Sequence, residues 1–379
     1  MSKRSGNQSP VAWPAESPAH RKAFQRDLLV WFLANRRVLP WRERRTPYRV
    51  WISELMLQQT RVDQAEPYFR RFMRRFPSLG SLAKAPLGDV LKAWEGLGYY
   101  ARARRARETA MFLVEQRGGK FPRDYDGLLA LPGIGPYTAA AVASLAFGLD
   151  HAVLDGNVMR VLARVMAVEA STDQPATRKA MQNHLQQILP SGRSSDFNEA
   201  MMELGALVCL PRQPRCEICP LRSVCAARRM DAVEKFPVRA TKKKIPHRHV
   251  GAGIIIDRRG RILLARRKEE AMLGGLWEFP GGGVEQGESI TACIQRELKE
   301  ELDIETRVGP HLVTVRHVFS HFSMDLHAHW VRVERGRPKA LGCDDWKWVT
   351  LEEVDQHALP RADQKIYAAL KKVNEWPAF

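Results

Sequence analysis

A chain of 379 residues is long enough for two or three domains, each able to bury its own core. No apolar run approaches the ~18 residues of a membrane span and the N-terminus is polar rather than signal-like, which excludes a membrane or secreted protein and leaves a soluble, intracellular one as the expectation. The formal charge of +18, with Lys and Arg interleaved among acids, points to a polyanionic partner; nucleic acid fits better than a membrane surface, and solubility alone would need less charge.

Residues 1–19 contain prolines and little apolar period, which predicts a flexible leader. From His20 the pattern turns helical. Phe24, Leu28, Trp31 and Phe32 define an amphipathic helix, VLPWR makes a turn, and Thr46-Pro47 opens the next helix with a capping residue and Pro at its first position. That helix carries Glu54, with Val50 and Trp51 one turn before it, Gln58 one turn after and Leu55 adjoining. An ionised, unpaired acid is costly there, so Glu54 is either a salt-bridged structural acid or a tuned one. Helices continue over Tyr68 to Phe76, Val90 to Trp94 and Ala101 to Glu115.

In LPGIGPYTAAAVASLAFG, Gly133 and Gly135 allow a tight hairpin and Pro136 pre-sets the Ala-rich helix that follows. That helix presents unpaired N–H groups with no side chain shielding them, a site for a phosphate directly or through a cation. An ordinary packing hairpin is the other reading. Asp155 precedes a helix whose Val158, Val161, Leu162 and Val165 keep helical spacing, and taken alone it is most simply an N-cap. Apolar neighbours should raise the Glu54 pKa, whereas Asp155 at a helix N-terminus should stay ionised; such a split assigns an acid and a charge stabiliser to one site.

Helices over 176–189 and 197–209 lead into Cys209, Cys216, Cys219 and Cys225, spaced C-x6-C-x2-C-x5-C. With six cysteines in all, this is a metal site rather than a disulfide framework, and the spacing suits tetrahedral zinc and a [4Fe–4S] cluster equally. The stretch 231–248 loses apolar period and gains basic residues and prolines, as a linker does. Beyond it the period alternates in VGAGIIID, RILLARR and FSMDLHAHWV, where Phe322, Met324, Leu326, Ala328 and Trp330 share a face. Helices from about Ser289 to Leu302 and Asp363 to Val373 complete an α+β domain over 249–379. The chain is thus multidomain: an all-α region over 20–230, then the α+β domain.

The blocks LPWR at 39–42, SELMLQQTRV at 53–62, GLGYYARAR at 96–104 and the hairpin-to-Asp155 stretch resemble the helix-hairpin-helix DNA glycosylases, and within them the MutY adenine DNA glycosylases. The resemblance covers most of the chain. It implies a hairpin at 131–147, an iron–sulfur cluster loop at 209–225, and excision of adenine from A:8-oxoguanine or A:G mispairs in double-stranded DNA by a monomer. Breaking the purine–deoxyribose bond needs a proton for the base and a stabiliser for the oxocarbenium-like sugar. By resemblance Glu54 protonates N7 of adenine and later helps activate water, and Asp155 stabilises the cation, assisted by Tyr137 and Asn157. Relatives that cleave the strand carry a Lys where this chain has Tyr137; a phenol forms no imine, so the expectation is a monofunctional glycosylase. Gln58, Gln59 and Tyr99 would fill or prop the stack after base flipping. Thr60 and Leu97 would sit near the orphaned base, and Trp41, Arg42, Glu199 and Met202 would line the adenine pocket. The cluster would be structural, presenting Arg212 and Arg215 to phosphates.

The segment GGGVEQGESITACIQRELKEELDI resembles the Nudix box, with Gly282, Glu288, Arg296, Glu297, Leu298, Glu300, Glu301 and Ile304 matching and Asp303 standing where the box has its last Gly. Glu297, Glu300 and Glu301 project together from a helix, a candidate Mg²⁺ site. In the MutY resemblance such a domain reads 8-oxoguanine, and Phe319, Ser320 and His321 match the reading loop. A second activity, nucleotide pyrophosphohydrolysis by this domain, is the alternative reading.

Overall fold

A computed structural model of the protein describes residues 17–241 and 244–377. The leader expected over 1–19 lies outside the described residues up to position 16, and its last two residues already belong to the first helix. The helices are α1 (Pro18–Asn35), α2 (Pro40–Glu43), α3 (Pro47–Leu57), α4 (Val62–Arg75), α5 (Leu79–Lys84), α6 (Leu87–Trp94), α7 (Ala101–Arg117), α8 (Tyr125–Leu129), α9 (Pro136–Phe147), α10 (Gly156–Val165), α11 (Pro175–Ile188), α12 (Ser194–Leu207), α13 (Ala226–Arg229), α14 (Ile290–Leu302) and α15 (Arg361–Leu370). The strands are β1 (His247–Ile255), β2 (Ile262–Arg266), β3 (Trp277–Glu278), β4 (Glu305–Val318), β5 (Ser323–Arg335) and β6 (Asp345–Val349).

Among the described residues these elements fall into two compact units, 17–73 with 112–241 and 74–111 with 244–377. In the first unit the helix starts follow the capping chemistry of the sequence. Ser17 accepts from His20 N, Thr46 from Arg49 N ahead of Pro47, and Asp155 from Val158 N. Phe24, Leu28 and Phe32 bury one face of α1, which packs on α12, while Trp31 is only half-buried. Helix α9 is buried from Thr138 to Leu145, and its small side chains let α3, α8 and α12 approach it together. The turn expected at VLPWR contains the short helix α2. The stretch expected as a linker is anchored as far as residue 240: Phe236 packs with Ala227 and Ala232, Thr172 N donates to Val238 O, and Ala240 N donates to Asp173.

In the second unit β1, β5 and β4 form one sheet, with β1 parallel and β4 antiparallel to β5; β3, β2 and β6 form an antiparallel second sheet. Phe322, Leu326, Ala328 and Trp330 are buried and Met324 half-buried on the apolar face of β5. The pairing of β4 with β5 slips between Val308 and His311 and again between His311 and Val313, around Gly309-Pro310. Helix α14 starts at the Ser289 cap and ends at Asp303, which adopts the left-handed conformation (φ 55°) of the Gly it replaces, its carboxylate paired with Lys299 and Lys339. The segment 74–111, expected within the helical region, is built onto this unit: Tyr100 donates to Leu359 O, Leu359 N to Glu95, Lys92 to His357 O and Arg104 to Gly274 O.

Candidate active site

Glu54 is fully enclosed in α3, 3% exposed, among Val50, Trp51 and Leu55. Tyr137, the second residue of α9, donates its hydroxyl hydrogen to Glu54 Oε2 at 2.6 Å. Burial raises Glu54 most, the Tyr137 bond and the Arg42 charge pull it down, the charges of Asp155 and Glu199 push it up, and together they bring it to about 7. A carboxyl with that value exchanges its proton near neutral pH, as a general acid and base must.

Asp155 caps α10 through Val158 N at 2.6 Å and accepts from Asn157 Nδ2 at 3.1 Å. Both carboxyls are displaced upward, Glu54 by its burial and Asp155 by its own. Burial raises the Asp155 carboxyl too, and outweighs the bonds from Val158 and Asn157 that lower it. The two acids therefore differ in their partners: a phenol on Glu54, a helix N-terminus and an amide on Asp155. Asn157 is itself fixed, because Arg160 donates to its Oδ1 at 2.8 Å and to Gly205 O at 2.7 Å, while Arg160 Nε donates to Cys209 O at 2.8 Å. Gly205 on α12 is required there: a Cβ at that position would stand 2.6 Å from Asn157 Cβ.

Beside Glu54 lies a network of ion pairs. Arg42 pairs with Glu199 at 2.8 Å and with Glu203 at 3.2 Å, Arg37 pairs with Glu203, and Arg45 pairs with Glu199. Burial works against ionisation of Glu203, but the Arg37 and Arg42 guanidiniums hold it below the usual carboxylate range. Trp41 is buried edge-on to Phe69, and Met202 is half-buried against the helical core. The sequence reading reached Trp41, Arg42, Glu199 and Met202 but missed Arg37, Arg45 and Glu203; the i, i+4 spacing of Glu199 and Glu203 was the available signal.

Gln58 ends α3 and donates to Thr138 Oγ1 on α9, Gln59 takes a left-handed φ of 59°, and Thr60 follows half-buried. In the other unit, Leu97 is buried and Tyr99 is 47% exposed with φ 50°. Of the hairpin glycines only Gly133 has a left-handed φ, 74°; Gly135 has φ −95° and caps α9 without a side chain, with open space where its Cβ would be.

Cys209, Cys216, Cys219 and Cys225 line a recess with Val161, Leu204 and Leu221. Among the described residues no three of these sulfurs lie within 4.8 Å of one another. A single tetrahedral zinc would hold its sulfurs about 3.8 Å apart, so the recess fits a larger group. Arg164, 2% exposed, donates to Cys209 Sγ at 3.3 Å and otherwise to carbonyls of Leu210, Pro211, Val233 and Phe236. A buried cation without a carboxylate among these acceptors suits thiolate neighbours.

In the second unit Arg296 is bound by Glu288, Glu297 and Glu300 and donates to Gly283 O. Glu300 is exposed, whereas burial, with Glu278 and Glu297, pushes Glu301 up to about 7. Glu297, Glu300 and Glu301 do not bring their oxygens within 4.8 Å of one another. Two of the three carboxylates expected at the Mg²⁺ site, those of Glu297 and Glu300, are paired with Arg296. Phe319, Ser320 and His321 form the β4–β5 turn, closed by Phe319 N donating to Phe322 O, with Phe319 stacked on Phe322 and Ser320 and His321 exposed.

Comparisons with known proteins agree with this layout. Residues 52–190 match the HhH-GPD superfamily of base excision DNA repair proteins and residues 251–369 match the NUDIX domain. The adenine DNA glycosylase of Rattus norvegicus is 35% identical over 91% of this chain and 77% of its own length. That of Buchnera aphidicola subsp. Acyrthosiphon pisum (strain APS) is 34% identical over 92% of this chain and 98% of its own. A solved structure of a thermostable thymine-DNA glycosylase is 30% identical with a TM-score of 0.52, covering 56% of this chain and 98% of that one. A helical glycosylase fold followed by a small α/β Nudix-like domain is thus the architecture, and no helix among the described residues is long and apolar enough to cross a membrane.

Proposed function

The chain belongs to the adenine DNA glycosylases of base-excision repair, and from that premise we propose that it acts as a monomer on double-stranded DNA inside the cell, hydrolysing the glycosidic bond of adenine opposite 8-oxoguanine or guanine. The observation that carries this reading is the burial of Glu54, paired with Tyr137, within the electrostatic reach of Asp155. With Tyr137 holding Oε2, the proton on Glu54 Oε1 is delivered to N7 of the flipped adenine as the bond to the sugar lengthens. Asp155, oriented by Val158 N and Asn157, lies against the developing positive charge on the sugar. Glu54, now ionised, takes a proton from the attacking water. Tyr137 offers no amine, so no imine with the sugar forms and the product is an abasic site.

We assign Trp41, Arg42, Glu199 and Met202 to the adenine pocket, and Gln58, Gln59, Thr60, Leu97, Tyr99 and the Gly133–Gly135 hairpin to the DNA. Phe319, Ser320 and His321 are assigned to the 8-oxoguanine partner. Cys209, Cys216, Cys219 and Cys225 would hold a [4Fe–4S] cluster, which when bound supplies a cross-link that fixes the loop carrying the exposed Arg212 and Arg215. The hydrolase alternative for the second unit is not favoured, since the relatives above are named for adenine excision. Base-treated cleavage of duplexes with A opposite 8-oxoguanine, G or C tests the reading: the first two should be cut and the third spared.

A further inference from the structure

One face of the β1-β5-β4 sheet is apolar; the other is rich in histidine. In the parallel register His247 lies beside Ser323, His249 beside Asp325 and Gly251 beside His327. Alternation then brings His247, His249, Ser323, Asp325, His327 and His329 to one side. Strand β4 adds His311 opposite His329, Thr314 opposite His327 and Arg316 opposite Asp325. Helix α14 covers the far end of this face, where Gly251 and Gly253 make room for Ile294 and Leu298. The near end is open: His247 and His249 are exposed and Asp325 is half-buried.

One nitrogen from each of His247 and His249 and one oxygen of Asp325 lie within 4.8 Å of one another, the one such convergence among the described residues. The rings are held from behind. His247 Nδ1 bonds Ser323 Oγ at 2.9 Å, which leaves Nε2 facing Asp325 Oδ2 at 3.2 Å. His249 Nδ1 lies 3.1 Å from His327 Nε2, whose ring reaches Thr314 Oγ1 at 3.0 Å and through it His311 at 2.9 Å. Such outer partners fix ring orientation and tautomer in metal-binding histidines. Asp325 Oδ1 is buried with no hydrogen-bond partner, an acceptor still to be satisfied.

We propose that His247, His249 and Asp325 form a binding site for a divalent transition metal of the zinc class, separate from the cysteine recess and from the site of base excision. Two imidazoles and one carboxylate suit Zn²⁺, Ni²⁺ or Cu²⁺; Mg²⁺ and Ca²⁺ take oxygen shells. The metal clips β1 to the start of β5, directly after the Phe319–Phe322 turn, and stiffens the base of that turn.

The test uses the full-length, iron-loaded protein dialysed against Zn²⁺ alone near neutral pH, with zinc and iron counted separately. One equivalent of zinc is expected, with iron unchanged. His249→Ala and the nearly isosteric Asp325→Asn should each weaken zinc binding by tenfold or more, and Ser323→Ala by about tenfold through loss of the outer partner. No zinc uptake by the native protein, or uptake unchanged in both ligand variants, would overturn the site. Co²⁺ in place of Zn²⁺ should give the weak visible bands of nitrogen and oxygen ligands; a thiolate charge-transfer band would put the metal at the cysteines and overturn it equally.

Discussion

The hydroxyl of Tyr137 reaches across from α9 to Glu54 Oε2 at 2.6 Å, so the phenol and the acid behave as one unit. Because Glu54 is raised to about 7 and its protonated form is the reactive one, the single-turnover rate of adenine release should fall about tenfold per pH unit above that value. Tyr137→Phe removes a bond that lowers the Glu54 pKa, so the falling limb should move to higher pH. A limb that stays in place in this variant would separate Tyr137 from the proton.

Glu54→Gln should nearly abolish release while leaving mispair binding within about 1 kcal/mol. The same change should stabilise the fold in alkali. Between pH 4.5 and about 7 the native carboxyl keeps a proton that the unfolded one loses, so stability drops as pH rises through that window. Gln is free of this loss. Denaturant titrations should show the variant more stable by up to about 3 kcal/mol at pH 8 and equal to the native protein at pH 4.

Gly205→Ala puts a methyl group into the 2.6 Å gap beside Asn157 and should push that amide away from Asp155 and Arg160. Overpacking of this kind costs about 1–3 kcal/mol of stability. The kinetic loss should be larger than the loss of DNA binding, on the order of tenfold or more in rate. Equal losses in both would mean that Asn157 is scaffold only.

Strand scission should need added base or heat, because no amine stands at position 137. Capture of a covalent protein–DNA adduct with borohydride would contradict the assignment.

Ser320→Ala and His321→Ala should narrow the preference for A:8-oxoguanine over A:G while leaving excision from A:G intact. Ratios of single-turnover rates on the two duplexes measure this, and an unchanged ratio would move recognition of the oxidised base elsewhere.

Isolated protein should contain iron and sulfide and absorb near 400 nm, with Cys219→Ser losing both colour and iron. Zinc at the cysteines in place of iron would contradict the larger group that the spread of these sulfurs suggests.

What the sequence made legible was what local chemistry controls. The Thr46 and Asp155 caps, the burial of Glu54 by its own helical neighbours and the alternation of β5 all follow from residues a turn or a strand apart. The Arg37–Glu203 and Arg42–Glu199 pairs join residues more than 150 positions apart, so the i, i+4 spacing of the two acids marks a shared helix face but not the arginines that meet it. The raised Asp155 carboxyl was missed for the same reason: its desolvation comes from the assembled helices, not from its neighbours in sequence. Segment 74–111 has ordinary helical spacing, so nothing local tells which unit it will join. Strand β4 escaped because Gly309-Pro310 breaks its alternation, and β3 is too short to show one.

That break in β4 has a use beyond the sheet itself. β4 is the outer strand of its sheet, and no strand among the described residues pairs with its free side. A straight edge of that length would be a template for the edge of a second molecule, the first step of aggregation. Pro310 offers no N–H, and the register slips around it bend the strand away from a continuous ladder. An incoming strand would find its hydrogen bonds out of phase within a few residues, so the irregularity that hid this strand from a pattern search also keeps it from being copied by its neighbours in a crowded solution.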